Sequence, residues 1–226
     1  MSPRPAAALR GGDQDLRAHL IATAAAVIAR RGTAGLSVRE IAKEAKVADG
    51  VLYNYFDGKD DLIAHGLHAH VHTVLRAGDA PPAAGSATVE ANLAALFTQA
   101  VTLLDRIMPA FAGTVGQPAV LRRFRELMSR NAEPHSLSTI GREDAGLPQL
   151  FTAYLRAEQK LGRVAADADL EASATLLIGA AHDVVLPKVL LGTPSAPNVP
   201  AASLLPEGHA ERIARALIHG LRASEG

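Results

Sequence analysis

Between Ser37 and Phe56 two short runs, each with one apolar face, are separated by a break of only three to four residues, a spacing that few folds can accommodate. Ser37 followed three residues on by Glu40 is a capping box, and it opens a helix whose inner face is Val38, Ile41, Ala42 and Ala45. The chain breaks near Lys46-Val47, and a third short segment runs from Ala48 to Phe56. Ile41, Ala45, Val47, Leu52 and Phe56 can share one small core, while Ala42 and Ala45 let the two helices cross closely. This is the layout of a helix-turn-helix, in which the second helix is left free to enter a major groove. Its outward side chains are Asp49, Gly50, Tyr53 and Asn54. Asn can pair with an adenine edge and Tyr can donate to a phosphate. Lys59 opens the next helix after an Asp57-Gly58 turn, adding a cation where backbone N–H groups also favour an anion.

The remainder reads as helix nearly throughout, because no stretch alternates with period two over strand length. Upstream, Leu20, Ile21, Ala24, Ala25 and Ile28 recur at helical steps from Gln14 to Arg31, and Gly32 ends the run as a C-cap. The helix begun at Lys59 extends to about Ala77, and Gly78–Ser86 is a linker by composition. Further helices are expected near Ala87–Ile107, Pro118–Arg130, Leu147–Leu161, Ala168–Leu191 and Glu207–Arg222, with Asp167 where an N-cap belongs. Four prolines make 192–206 a long connection.

The chain has no cysteine, which excludes disulfides, Cys-based zinc sites and a thiol nucleophile, and fits a reducing cytoplasm. Residues 1–13 form a Pro/Ala/Gly-rich arm without the apolar core of a signal peptide. Arg4 and Arg10 on it suit either a solvated tail or a reach into the minor groove. The apolar stretch Ala172–Leu191 is interrupted by His182, Asp183, Pro187 and Lys188, so a buried helix suits it better than a membrane span. Global charge balances at zero, and residues 1–60 carry nine Lys/Arg against seven Asp/Glu. Charge alone therefore identifies no partner.

The run S-V-R-E-I-A-K-E-A-K-V-A-D-G-V-L-Y-N-Y-F-D-G-K-D-D-L resembles the DNA-binding signature of TetR-family regulators, and the preceding R-A-H-L-I-A-T-A-A-A-V-I-A-R-R-G resembles that family's first helix. L-Y-N-Y-F-x-x-K is more specific than a generic helix-turn-helix requires. The segment L-F-T-A-Y-L-R-A-E-Q-K-L-G-R-V-A-A-D-A-D-L-E resembles the junction of the seventh and eighth helices in such proteins. The resemblance implies an all-α fold: a three-helix DNA-binding domain over residues 14–58, and about six more helices over 59–226 that bind ligand and dimerise through the last two. It implies phosphate contacts by Ser37, Tyr53 and Lys59, and with Arg39, Lys46, Asp49, Gly50 and Asn54 these are the candidate DNA-binding residues. Three departures stand out. Lys46 replaces the usual turn Gly, and a non-Gly residue at positive φ costs on the order of 1 kcal/mol. Ala48 replaces the usual Ser cap, so Asp49 is expected to cap the recognition helix, or else to accept from a cytosine amine. Val51 replaces the usual Thr.

His65, His68 and His72 share one helix face, a spacing that suits Zn, Ni or Cu as well as it suits a plain solvated face; His70 points elsewhere. Phe97, Phe111, Phe124, Tyr154, His182 and Asp183 are candidates to line an apolar pocket, with plain core packing as the alternative for each aromatic. Ala172, Ala174, Gly179, Ala180 and Ala181, together with Ile213, Ala216, Leu217 and Gly220, suit close packing between two subunits. The expected protein is a cytoplasmic, homodimeric transcriptional regulator of a double-stranded DNA operator, a repressor released by a small apolar or amphipathic effector. The alternatives are a response to metal through the histidine face, or a body that binds a protein partner and no ligand. No cofactor, membrane association or enzyme activity is expected, since neither a Gly-rich phosphate loop nor a paired-carboxylate motif is present.

Overall fold

The computed structural model describes residues 13–130, 147–191 and 200–221; the arm with Arg4 and Arg10, and Gly192–Val199 of the long connection, lie outside them. Among the described residues there are nine α-helices and no strand: α1 Asp13–Arg31, α2 Val38–Ala45, α3 Asp49–Leu52, α4 Lys59–Arg76, α5 Val89–Phe111, α6 Pro118–Arg130, α7 Leu147–Lys160, α8 Leu170–Leu191 and α9 His209–Leu221. The chain divides into two compact units, Met1–Arg76 with Pro109–Ala132, and Ala77–Met108 with Glu133–Gly226. The last residues of α5 thus belong to the first unit, as does α6.

In the first unit Leu16, Leu20, Ala24, Val27 and Ile28 of α1 are buried against Leu62, Ile63, Ala64 and Leu67 of α4. Gly66 permits the close crossing, because a Cβ there would come within 2.7 Å of the Ala24 methyl. Val120 and Leu127 of α6 complete this core. The corner after α5 is wedged against the loop between α1 and α2. The buried Thr33 hydroxyl donates to the Ala110 carbonyl at 2.9 Å. A Cβ on Gly113 would lie 2.2 Å from the Ala34 nitrogen.

In the second unit Phe97, Val101 and Leu104 of α5 pack with Phe151 and Leu155 of α7 and with Ala174, Leu177, Ala181 and Val185 of α8. Two polar clusters hold its irregular segments. Glu158, fully buried, accepts from the Tyr154 hydroxyl at 2.7 Å and from the Gly85 N–H at 3.1 Å, and pairs with Arg163 at 3.2 Å. Asp105 accepts from Lys188 at 2.7 Å and from the Ala201 N–H at 3.0 Å. The 78–86 linker is therefore anchored despite its composition.

Three boundaries differ from the sequence reading. α5 continues through Pro109 to Phe111 rather than stopping at Ile107. The cap of α8 is Asp169, not Asp167: its carboxylate accepts from the Ala172 N–H at 2.9 Å, two residues further on and next to Leu170, the first residue of the helix. The regular part of α3 ends at Leu52, and Tyr55 and Phe56 continue as turns whose N–H groups bond to the Leu52 carbonyl at 3.1 Å.

Candidate nucleic-acid interface

The head is built around the capping box. Ser37 accepts from the Glu40 N–H, and Glu40 accepts from the Ser37 N–H at 2.9 Å and the Ser37 hydroxyl at 2.8 Å. Arg31 on α1 donates to the same carboxylate at 2.8 Å. Arg31 first and the Ser37 groups next hold the Glu40 carboxyl at about 2, well below its ordinary value. α2 ends at Lys46 in the left-handed region, φ 58 and ψ 39, where its N–H still reaches the Ala42 and Lys43 carbonyls. Of a strained turn and a differently shaped one, the structure has the left-handed conformation at Lys46 that a Gly would take more easily.

α3 starts differently from the expectation. Ala48 is its N-cap and makes no side-chain cap bond. Asp49 does not take over the cap; its carboxylate instead accepts from the Arg39 Nε at 3.1 Å. A charged donor within reach outcompetes a neutral backbone N–H for a carboxylate. Leu52 and Phe56 are buried, whereas Asp49, Gly50, Tyr53 and Asn54 are exposed, Tyr53 at 61%. Arg39, Lys46 and Lys59 are exposed as well, while Ser37 is half-buried with its hydroxyl engaged. Val51 packs against the head's core, which gives the unusual residue an apolar role. Tyr55 turns the other way, donating to Asp13 at 2.9 Å, an acceptor that raises its own pKa.

The turn between α3 and α4 is fixed by a network that sequence reasoning missed. Asp61 accepts from the Asp57 N–H at 3.2 Å and from the Arg123 Nε on α6 at 2.7 Å. Burial alone would raise the Asp61 carboxyl, but Arg123, the Asp57 N–H and nearby His65 outweigh it and hold it below the ordinary value. His65 lies 3.6 Å from Asp61 and 3.0 Å from an Arg17 nitrogen, and Arg17 also covers the Phe56 ring at 5.2 Å. An acid four residues before a histidine was readable in the sequence; Arg123, far along the chain, was not.

This network bears on the histidine face. His65 is drawn to Asp61 and Arg17, while His68 and His72 stack with ring centroids 4.2 Å apart. Among the described residues no group of three or more His, Asp or Glu could hold a metal ion. The six ligand candidates fall in different units. Phe111 and Phe124 belong to the first, edge to face with centroids 5.1 Å apart. Phe97 and Tyr154 are buried in the core of the second, with the Tyr154 hydroxyl engaged by Glu158. His182 is tied to the Ile178 carbonyl of its own helix at 2.9 Å, and Asp183 is exposed. An open apolar groove of about 460 Å³ runs along α1 and α4 of the first unit, lined by Ile21, Ala25, Ala69, His70 and Thr73 among others.

A buried three-helix head that presents a short exposed helix beyond a tight turn is the layout of a helix-turn-helix DNA-binding domain. Residues 20–65 match the family profile "bacterial regulatory proteins, tetR family". No curated protein matches the sequence. Among solved structures, the chain is similar to GusR of Salmonella enterica (16% identity, TM-score 0.58, covering 94% of this chain and 98% of that one). It is similar to a TetR-family transcriptional regulator from Streptomyces coelicolor (18%, 0.57, covering 92% and 80%). It is also similar to the transcriptional regulator FadR of Bacillus subtilis in complex with stearoyl-CoA (18%, 0.54, covering 91% and 99%). The profile match identifies residues 20–65 as a tetR-type DNA-binding head, and the solved structures share the fold of the chain.

Proposed function

We propose that this regulator is a cytoplasmic homodimeric repressor whose 14–58 segment grips an operator and whose 59–226 segment dimerises and takes a small amphipathic effector. The observation that carries the DNA half is the split of exposure along the α3 segment, with Leu52 and Phe56 inside and Asp49, Gly50, Tyr53 and Asn54 outside. Arg39, Lys46, Tyr53 and Lys59 then supply phosphate and base contacts, and Ser37 holds the α2 N-terminus against the backbone.

The dimer rests on α8. That helix is long and apolar enough by composition to cross a membrane, yet Asp183 and Lys188 interrupt it and Lys188 is tied to Asp105. Its outer side leaves Leu176 and Leu190 exposed at 67% and 62%, with Gly179 and Leu186 between them. This mostly apolar face, crossed by the exposed Asp183, fits a second copy of the same helix. The stearoyl-CoA held by FadR supports an amphipathic effector for this chain. Effector binding favours one spacing of the two heads, and the operator favours another.

The test is a palindromic operator selected from random duplexes. Replacing Leu176 and Leu190 with Arg should halve the mass in solution and weaken binding to the two-site operator far more than to a half-site. A variant that keeps its mass and its affinity refutes the dimer. Long-chain acyl-CoA should weaken operator binding by about 5–150-fold, and an affinity indifferent to acyl-CoA and to other amphipathic metabolites refutes the effector.

A further inference from the structure

We propose that Arg39 and Asp49 form one guanine-reading element, in which Asp49 orients the Arg39 guanidinium toward the O6 and N7 of a single base. The proposal rests on the reading that the outer side of α3 enters the major groove. Arg39 lies in the first turn of α2 and Asp49 is the first residue of α3, so a bond between them spans the turn of the motif. Their side chains are 86% and 50% exposed. The Arg39 Nε is engaged at 3.1 Å, and among the described residues its two terminal nitrogens make no hydrogen bond. A guanidinium fixed through Nε keeps a two-pronged edge of N–H donors, the geometry that matches the two acceptors of guanine.

Charge explains why a base, and not a phosphate, is the target. A carboxylate is acceptor-only, so Asp49 alone would repel the backbone and find no partner on guanine. Paired with Arg39 it cancels most of the attraction that makes an arginine a good phosphate contact. The direction of the remaining N–H groups survives that cancellation. Closing the groove over the pair removes water and strengthens the bond that sets this direction. The head's other exposed arginine pairs, Arg30 with Glu44 and Arg31 with Glu40, join α1 to α2 and act as struts. An exposed pair such as Arg39 with Asp49 contributes little to stability, so its effect belongs to recognition.

Selection of bound duplexes from a random pool, using the full chain, separates the outcomes. The wild type should select a guanine at one fixed position of each half-site. Arg39→Ala and Arg39→Lys should lose roughly tenfold to hundredfold preference at that position. Asp49→Asn should broaden the same position and no other. The double variant should be no worse than Arg39→Ala, and thermal melts should stay unchanged. A profile untouched by Asp49→Asn, or altered at a different base pair, overturns the proposal. So does an Arg39→Ala variant that binds every sequence equally less well with a salt slope smaller by about one, the mark of a phosphate contact. A wild type that selects no sequence overturns the underlying DNA-binding reading instead.

Discussion

Replacing Gly113 with Ala tests how tightly the corner after α5 is wedged against the loop between α1 and α2. The added methyl would stand 2.2 Å from the Ala34 nitrogen, 2.5 Å from its Cα and 2.7 Å from the Thr33 carbonyl carbon. All three are backbone atoms, so no rotamer change relieves the overlap. Ordinary contact needs about 3.5–4.0 Å, so one side must retreat by roughly 1.5 Å. The 2.9 Å bond from the Thr33 hydroxyl to the Ala110 carbonyl does not survive that retreat. Losing it inside the core costs about 1–3 kcal/mol, and overpacking adds about 1–3 kcal/mol. The smaller entropy of the unfolded Ala chain returns about 0.4–1 kcal/mol. The net loss is roughly 1–6 kcal/mol, or a melting point lower by about 2–20 °C for a chain of this length. Far-UV circular dichroism melts measure it, with Gly116→Ala as control, since a Cβ at Gly116 meets nothing within 4 Å. Equal melting points for Gly113→Ala and the wild type would refute the wedge.

Lys46→Gly should stabilise the head, because Lys46 sits at φ 58. The gain is about 0.5–1 kcal/mol, and a lowered melting point would show that the turn holds no strain. Asp61→Asn reads the network beneath α4. The Asp61 carboxyl is held below its ordinary value, so its stabilisation is present above the unfolded carboxylate pKa and is lost as pH falls through the folded one. The stability gap between wild type and Asp61→Asn should therefore be full at neutral pH and shrink on acidification below about pH 4. A gap that stays constant into strong acid contradicts the assignment.

The features legible in the sequence are those decided within a few residues. The Ser37–Glu40 capping box and the burial of Ile41, Ala45, Leu52 and Phe56 follow from local spacing, the positive φ at Lys46 follows from the resemblance at the turn, and the structure has each of them. Features set by distant partners were not legible. Asp49 looks like a cap until Arg39 competes for its carboxylate. His65, His68 and His72 look like one ligand face until Asp61 and Arg17 claim the first of them. Tyr154 looks like a polar handle for a ligand, but its hydroxyl bonds to Glu158, one helical turn away on the same face. Phe111 and Phe124 lie far enough along the chain to suggest the body, yet the end of α5 and α6 belong to the first unit.

The capping box makes two adjacent residues differ in how much of the head depends on them. Glu40 ties α1, the following loop and the start of α2 through one carboxylate, so any exchange there disturbs three elements at once. Arg39, its neighbour, is 86% exposed, and its side chain is bonded to Asp49. A lineage can therefore exchange residues 39 and 49 as a couple while the head keeps folding. Duplicated copies of this regulator could acquire new operators through that couple while Glu40 stays fixed.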